Sequence, residues 1–254
     1  MMIRTMLGTI AAALAILPAP ALAQYGGTTV PTSGVEGRFS VTVKGGLETN
    51  WGGDVHEGGT GRVLGLPAEV GARSYNDVYD PGYRLGIGVG YGFSPSMEAI
   101  AAFSYGNQGA EEIEIGTVAG ESLRGAFGDY KDMTFEGGVR WHFAPDAGFD
   151  PYVSGVIGFR MLDAIPLDMS VPGVGAVFEN VGFYNDSTVF LAGIDFGVQF
   201  KMGDRGAFGI ESGFRFQGSP EQVEGFAGTG LENLNDAGSR IALPILATFT
   251  YYFD

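Results

Sequence analysis

The sequence predicts an all-β protein, an eight-stranded antiparallel up-and-down transmembrane β-barrel with four long extracellular loops. Three observations support this prediction. Eight segments alternate apolar and polar residues with a period of two, which indicates strands. The connections between these segments are alternately short and long. The composition, with 44 glycines, 19 phenylalanines and only 14 Lys+Arg, disfavours helices and suits strands.

The first 23 residues have the pattern of an export signal. Arg4 precedes an apolar run over 7–17 that is too short to span a bilayer. Ala21 and Ala23 then form the small-x-small pattern of a signal-peptidase site, so cleavage would leave Gln24 at the mature N-terminus. The alternative is a membrane anchor that stays attached.

The mature chain divides into a short lead-in and one domain. Residues 24–35 are small, polar and rich in Pro and Gly, and we expect a mobile periplasmic lead-in there. Residues 36–254 form the predicted barrel domain. The sequence contains no cysteine, which excludes disulfides and thiolate metal sites.

Each predicted strand places aromatic and aliphatic residues on one face and glycines, hydroxyls or charged residues on the other. The second strand is the most regular, with six large apolar residues separated by glycines and Arg84. In order, the alternating segments cover residues 38–48, 83–93, 97–105, 133–143, 152–161, 190–201, 208–216 and 240–253.

The connections give independent support. Strands two and three, four and five, and six and seven are joined through SPS, APDAGFD and GDRG. The other connections are long, on the order of twenty to thirty residues, and we expect them to lack regular structure, which is uncommon in a compact soluble domain. Transmembrane barrels alternate short periplasmic turns with long extracellular loops, so both chain ends should be periplasmic.

A soluble barrel also alternates, so the chemistry of the two faces has to separate the cases. Burying the charged face in a dry core would be costly unless every charge were paired. Facing that side toward a polar lumen, and the aromatic side toward lipid, avoids the cost.

The inward face should carry a charge network that plugs the barrel, because eight strands enclose a space that side chains can fill. We expect more cations than anions in it. The alternative is a narrow gate for small solutes, since the inward glycines of the second strand would leave local space. The predicted members are Arg38, Lys44, Glu48, Arg84, Glu98, Glu136, Arg140, Arg160, Asp195, Lys201, Glu211, Arg215 and Arg240.

The acidic excess falls on the long loops. A net charge of −15 argues against a nucleic-acid partner. The acidic loops suggest either a solvated surface or divalent-cation binding beside lipopolysaccharide, although no loop has the ligand spacing of a calcium site. The third loop (IPLDMSVPGVGAVF) is apolar and could enter the lumen, lie on the bilayer, meet a partner or help to bind a hydrophobic ligand.

Neither a cofactor nor catalysis is expected. The sequence has only two histidines. His142 falls at the periplasmic end of the fourth strand, and His56 lies in the first loop with no serine near it in sequence. A lipid-modifying barrel enzyme is therefore the weakest of the function hypotheses. The glycine run GIGVGYG lacks the spacing and the following helix of a nucleotide-binding loop.

Two stretches resemble a known family. EGGVRWHFAP followed by PYVSGVIGF is similar to the fourth and fifth strands of OmpA-like eight-stranded outer-membrane proteins, also called opacity-type porin-family surface antigens. The final ATFTYYF, with Phe249, Tyr251 and Phe253, resembles the terminal strand that these proteins use as an assembly signal, except that Asp254 follows it.

The resemblance implies the bacterial outer membrane as location. It also implies outer-membrane lipid, lipopolysaccharide and the barrel-assembly machinery as partners. The implied role is that of a structural or surface-antigen protein, with a narrow porin-like channel as the alternative.

Overall fold

The computed structural model describes residues 34–223, 230–232, 234–236 and 238–253. The predicted signal peptide, including Ala21, Ala23 and Gln24, lies outside the described residues, as does most of the lead-in.

The described residues form sixteen strands and one four-residue helix. In chain order these are β1 (Phe39–Gly52), β2 (Asp54–His56), β3 (Gly59–Val63), β4 (Leu66–Val70), β5 (Arg73–Ser74), α1 (Tyr75–Val78), β6 (Gly82–Ser94), β7 (Met97–Gln108), β8 (Glu112–Val118), β9 (Glu121–Phe127), β10 (Tyr130–His142), β11 (Phe149–Leu162), β12 (Ile165–Val171), β13 (Gly175–Tyr184), β14 (Ser187–Met202), β15 (Gly206–Gln217) and β16 (Arg240–Phe253).

Eight long strands close into an antiparallel barrel in the order β1-β16-β15-β14-β11-β10-β7-β6. Closure occurs at β1, where Phe39 is opposite Phe253 of β16 on one side and Tyr91 of β6 on the other. The predicted number of strands, their order and their alternation are confirmed. A closed barrel leaves no open strand edge, as lipid requires.

The outer surface of the barrel is apolar and carries an aromatic belt near each end. The belt at the short-turn end includes Phe39 packed on Tyr91, with ring centroids 4.8 Å apart. The belt at the other end includes Tyr83 beside Tyr105, with ring centroids 6.2 Å apart, and Trp51 edge-on to Phe214, with centroids 5.9 Å apart. Aromatic girdles at both interfaces are typical of transmembrane barrels.

No helix among the described residues is long and apolar enough to cross a membrane.

The expectation of unstructured long loops is wrong for the first three long connections. Their strands form a six-stranded sheet in the order β13-β12-β9-β8-β4-β3, which we call the cap sheet. β2 and β5 form a separate two-stranded ribbon. The segments EIEIGTV, ESLRGAF and IPLDMSV alternate as the barrel strands do, which explains why they form strands.

The inner face of the cap sheet packs into a hydrophobic core that also includes residues of the barrel strands β10, β11 and β14. Ile115, Leu123, Leu167, Met169 and Phe183 are buried there. The apolar third loop is thus part of this core, and none of the four predicted roles for it is needed to explain its composition. A shared core makes these connections one folded unit.

The fourth long connection contacts both edges of the cap sheet. Gln222 forms a bridge with Tyr184 at the end of β13. Gly230 lies against Gly61 of β3, and Leu234 is buried in the cap core. The described parts of this connection therefore help to cover the cap core between the two edge strands.

A turn over residues 34–37 packs against the short-turn end of the barrel. The main-chain nitrogen of Val35 donates to the carbonyl of Pro95 (3.1 Å), and that of Gly34 donates to Oδ1 of Asp146 (2.7 Å). Val35 is buried together with Ala207 and Tyr252. Residues 34 and 35, assigned to the lead-in from sequence, are therefore packed on the barrel.

Candidate functional site

The upper tier of the lumen, nearest the long connections, is built around Glu48. Arg84 binds it at two points, with distances of 2.6 and 3.0 Å. Arg160 and Arg240 approach Oε1 of Glu48 at 3.4 and 3.3 Å. Asp132 provides a second carboxylate, 2.7 Å from Nη2 of Arg84. Five side chains from five strands are thereby joined into one buried cluster.

Neutral side chains complete the upper tier. Gln217 accepts a hydrogen bond from Arg160 at 2.7 Å, and Asn50 accepts one from Arg240 at 2.7 Å. The guanidinium of Arg240 also lies 4.1 Å from the ring centroid of Tyr130. A cation over an aromatic ring is stabilised by the ring's negative face.

The middle tier lies around Glu136. Lys44 is 3.0 Å from Oε1 of Glu136, and Arg215 is 3.0 Å from Oε2. Arg215 also pairs with Asp195. The side chain of Glu211 lies 3.9 Å from Lys44 and so leads toward the tier below.

The lower tier lies around Glu98 and Arg140. Arg140 is 3.5 Å from Glu98 and 3.2 Å from Glu211, so Glu211 joins the lower and middle tiers. His142 lies between Glu98 (3.4 Å) and Asp150 (2.7 Å). Near the short-turn end the lumen is therefore filled by a continuous chain of contacting side chains, from Asp150 through His142, Glu98 and Arg140 to Glu211.

The predicted excess of cations over anions does not occur within the three tiers, and the two remaining predicted cations, Arg38 and Lys201, lie at the mouth of the barrel. Six predicted cations lie in the three tiers: Lys44, Arg84, Arg140, Arg160, Arg215 and Arg240. Six carboxylates contact these cations, and a seventh, Asp150, contacts His142 instead; the six are Glu48, Glu98, Asp132, Glu136, Asp195 and Glu211.

The sequence prediction omitted Asp132 and Asp150. Both lie at the ends of strands, where the alternating pattern is hardest to delimit, although Asp132 has the same parity as Glu136. The prediction also left out the amide side chains of Gln108 and Gln217, which accept from Arg240 and Arg160.

Arg38 and Lys201 do not join the tiers. They lie at the short-turn mouth of the barrel, where Arg38 donates to the carbonyl of Asp204 at 2.8 Å. The guanidinium of Arg38 lies 4.8 Å from the ring centroid of Tyr252. The side chain of Lys201 is exposed.

The inward glycines do not leave the open space that the gate hypothesis needs. A Cβ on Gly90 would lie 2.0 Å from Oε1 of Glu98, and one on Gly92 would lie 1.8 Å from the carbonyl oxygen of Val35. A small cavity between the upper and middle tiers has room for about one water molecule. The space is taken up by neighbouring groups.

His56 and the acidic residues of the long connections form no catalytic or metal site that the described residues reveal. The ring of His56 is stacked near Phe127 and edge-on to Phe183, with centroids 5.9 and 6.3 Å away. Burial lowers the pKa of His56. Among the described residues, no three His, Asp or Glu side chains are placed so that they could hold one metal ion.

The predicted assembly-signal residues lie in the last five residues of the strand β16. Phe249, Tyr251 and Phe253 all face outward and are exposed. Tyr251 packs edge-on against Phe253, with centroids 4.9 Å apart.

Comparison with known proteins gives only structural likenesses. The sequence matches no protein-family model and no curated protein. Neisserial surface protein A is 10% identical, with a TM-score of 0.44, over 86% of this chain and 98% of that one. OprG from Pseudomonas aeruginosa is 12% identical, with a TM-score of 0.42, over 87% and 98%. Ail of Yersinia pestis is 13% identical, with a TM-score of 0.41, over 86% and 99%.

The class of protein follows from the fold and from the chemistry of the two barrel faces. A closed eight-stranded barrel with an apolar, aromatic-belted exterior and a charged interior is the architecture of an outer-membrane barrel. The fold class and the outer-membrane location expected from the sequence are those of this protein.

Proposed function

We propose that this eight-stranded outer-membrane barrel is a structural surface protein, a closed anchor that holds the folded cap sheet outside the membrane. The observation that supports the proposal is the continuity of the lumen network. Glu211 joins the middle and lower tiers, and Glu48 gathers three arginines above them.

The network opposes conduction. An ion crossing the lumen would have to displace Arg140 from Glu98 and Glu211, and Lys44 and Arg215 from Glu136. Separating a buried charge from its partner is strongly unfavourable, because it leaves an uncompensated charge at low dielectric. The network therefore favours a scaffold over a narrow channel.

The cap supports a display role. Its core is shared by strands from three long connections and by Leu231 and Leu234 of the fourth, so the outer surface is held in one arrangement. The outward face carries charged side chains such as Glu112, Glu114 and Arg124, with Arg124 2.9 Å from Glu112. A polar, ordered face suits contacts with other surface molecules.

Single-channel recording tests the closed state. We expect the refolded mature protein to give no sustained conductance steps in a planar bilayer. A triple variant, Lys44→Ala with Glu136→Ala and Arg215→Ala, removes the middle tier and should conduct. Glu112→Gln on the cap is the matched control and should stay silent.

The outcomes separate the scaffold from the channel. Steady conductance of the wild-type protein, abolished by unfolding it, would show a channel and contradict the proposal. Each variant should first show heat-modifiable gel migration, which establishes that its barrel has formed. A display role further requires the cap to be accessible on intact cells, which labelling of a cysteine introduced at Glu114 would measure.

A further inference from the structure

The end of the cap sheet farthest from the barrel is formed by three hairpin turns. β8 and β12 each begin within four residues of the end of a barrel strand, so both lead away from the barrel mouth. Val118 beside the β8–β9 turn pairs with Ala68 of β4, and Arg124 of β9 pairs with Ser170 near the β12–β13 turn. Neighbouring turns are therefore about 10 Å apart, two strand spacings. We call this end the distal tip and define it as residues 64–66, 119–120 and 172–174.

The distal tip exposes apolar side chains. Leu64 is 71% exposed, Leu66 50% and Val174 77%. Ala119 and Pro172 are exposed as well. The outward face of the cap sheet below the tip carries charged side chains instead. Exposed apolar groups that are bordered by polar residues mark surfaces that contact a protein or a membrane.

Leu64 is also an unusual residue for its backbone conformation. Its φ is 52°, in the left-handed region, where a leucine side chain is sterically disfavoured and Gly or Asn is usual. Asn would form this tight turn with Gly65 at lower cost and would be better hydrated. Neither the turn nor the solvent therefore accounts for a leucine at this position, which points to a contact outside the chain.

The shape of the distal tip suits a lipid surface better than a protein surface. A stable protein interface buries about 800 Å² on each partner and uses roughly 20–30 residues of each. The tip offers only a few apolar side chains, carried by separate protruding turns. Lipid can surround each turn individually, while polar groups beside the turns stay at the level of the headgroups.

The charges beside the distal tip favour a zwitterionic bilayer over an anionic one. Glu121 follows the β8–β9 turn directly, and Glu69 lies on β4 near the β3–β4 turn; both are exposed. Of the nearby cations, Arg62 donates to the carbonyl of Gly65 at 3.3 Å, and Arg124 already pairs with a carboxylate. The whole chain has a net charge of −15. An anionic lipid surface would repel this end of the cap.

We propose that the distal tip inserts into the surface of a zwitterionic bilayer that faces the membrane holding the barrel. Leu64, Leu66 and Val174 enter the boundary of the acyl chains, and Glu69 and Glu121 remain among the headgroups. The inference rests on the display role, because the cap must project from the cell to reach such a surface.

Fluorescence of the mature protein in phosphatidylcholine nanodiscs tests the proposal. The chain has no cysteine, so Ala119→Cys can carry a single environment-sensitive nitrobenzoxadiazole label in the middle turn. We expect a saturable blue shift of its emission when phosphatidylcholine vesicles are added. The shift should be smaller with vesicles that contain equal parts of phosphatidylglycerol. The same label on Glu114→Cys, on the outward face of β8, should not shift.

A double variant of the labelled protein, Leu64→Asn with Val174→Ser, separates docking from folding. Asn is compatible with the positive φ at position 64, so the cap should remain folded and resistant to protease. Binding to phosphatidylcholine vesicles should fall roughly tenfold or more, because two apolar side chains that enter the lipid are lost. Thr60→Asn introduces a polar amide at an exposed position of β3 away from the turn, and should leave binding unchanged.

A shift at Ala119→Cys that is absent at Glu114→Cys and lost in the double variant supports the proposal. No shift with either lipid, an equal shift in the double variant, or a larger shift with phosphatidylglycerol overturns it. A blue shift that grows with protein concentration before vesicles are added also overturns it, because a second copy would then cover the tip. The proposed function is contradicted by other results, namely conductance of the wild-type protein or a cap that is inaccessible on cells.

Discussion

Arg84 binds Glu48 through two nitrogens, with Nε 2.6 Å from one carboxylate oxygen and Nη2 3.0 Å from the other. The same carboxylate also faces Arg160 and Arg240. One anion therefore balances much of the charge of three buried guanidinium groups, and only Asp132 assists it in the described part of this tier.

Removing the charge of Glu48 should strongly destabilise the barrel. Glu48→Gln keeps the shape but removes the charge, so three arginines would be left with Asp132 alone. We expect a loss of about 3–5 kcal/mol in the free energy of unfolding, the usual cost of breaking a buried ion pair. Urea unfolding in lipid vesicles, followed by heat-modifiable gel migration, measures it.

Glu112→Gln is the matched control for this change. Glu112 pairs with Arg124 at 2.9 Å, but both side chains are about half exposed. Its loss should therefore lower the free energy of unfolding far less than the loss of the Glu48 carboxylate does. Equal effects of the two substitutions would mean that the lumen network does not stabilise the barrel more than a surface pair does.

The sequence was sufficient for the barrel because each strand repeats one pattern with one physical cause. A single alternation, apolar toward lipid and polar toward the lumen, fixes the face of Phe103 and of Glu98 alike. The membership of the network followed from parity. The ion pairs within the network could not be predicted in this way. Whether Arg84 pairs with Glu48 or with Glu136 depends on the stagger of the strands and on the length of the side chains.

Two of the three hairpins of the cap sheet were missed because their turns lack the usual sequence signals. The β3–β4 turn has Leu64 at φ 52° and Gly65 at φ 81°, and the β8–β9 turn has Ala119 at φ 50° and Gly120 at φ 89°. Two successive positive φ values are typical of tight hairpin turns, in which Asn-Gly is the usual pair. Because Leu64 and Ala119 occupy the first of these two positions, the sequence did not indicate a tight turn at either place.

The cap core yields the next prediction. Phe183 is fully buried and contacts Phe127 edge-on, with centroids 5.1 Å apart. Phe183→Ala should destabilise the cap by about 3–5 kcal/mol, through lost burial and the cavity left behind. Limited proteolysis of intact cells or vesicles should then cleave the long connections while the barrel fragment stays heat-modifiable.

Val174→Ala provides the comparison for Phe183→Ala. Val174 is 77% exposed at the β12–β13 turn, so its truncation should change neither proteolysis nor stability. If Phe183→Ala left the cap as resistant as the wild type, the cap would not be a cooperatively packed unit.

The stability of the cap should depend on pH through His56. Burial lowers the pKa of His56, and Arg73 acts in the same direction, whereas the hydrogen bond to Glu57 and the charges of Asp54 and Asp77 oppose the shift. The unfolded cap takes up a proton below about pH 6.5, the ordinary value for histidine, while the folded cap does not. Stability should therefore fall as pH decreases through 6.5 toward the folded-state pKa.

Methyl NMR signals of Leu167 and Met169, both buried in the cap, can follow this transition. In urea at pH 5.5 the wild-type signals should be lost at a lower urea concentration than at pH 7.5. His56→Gln cannot take up the proton, so the difference between the two pH values should shrink. A difference of unchanged size in His56→Gln would assign the pH dependence to other groups.

The last prediction compares two glycines on the paired strands β10 and β11, where Gly138 is opposite Val156 and Val139 is opposite Gly155. Gly138 faces inward, and a Cβ there would lie 1.9 Å from the carbonyl oxygen of Gly155, whereas a Cβ on Gly155 would meet nothing within 4 Å. Gly138→Ala must therefore displace the backbone of β11 and should destabilise the barrel by about 1–3 kcal/mol. Gly155→Ala should be neutral or slightly stabilising, because alanine has less backbone freedom to lose on folding. Urea midpoints of the two variants, measured in the same lipid, would contradict this account of the strand contact if they were equal.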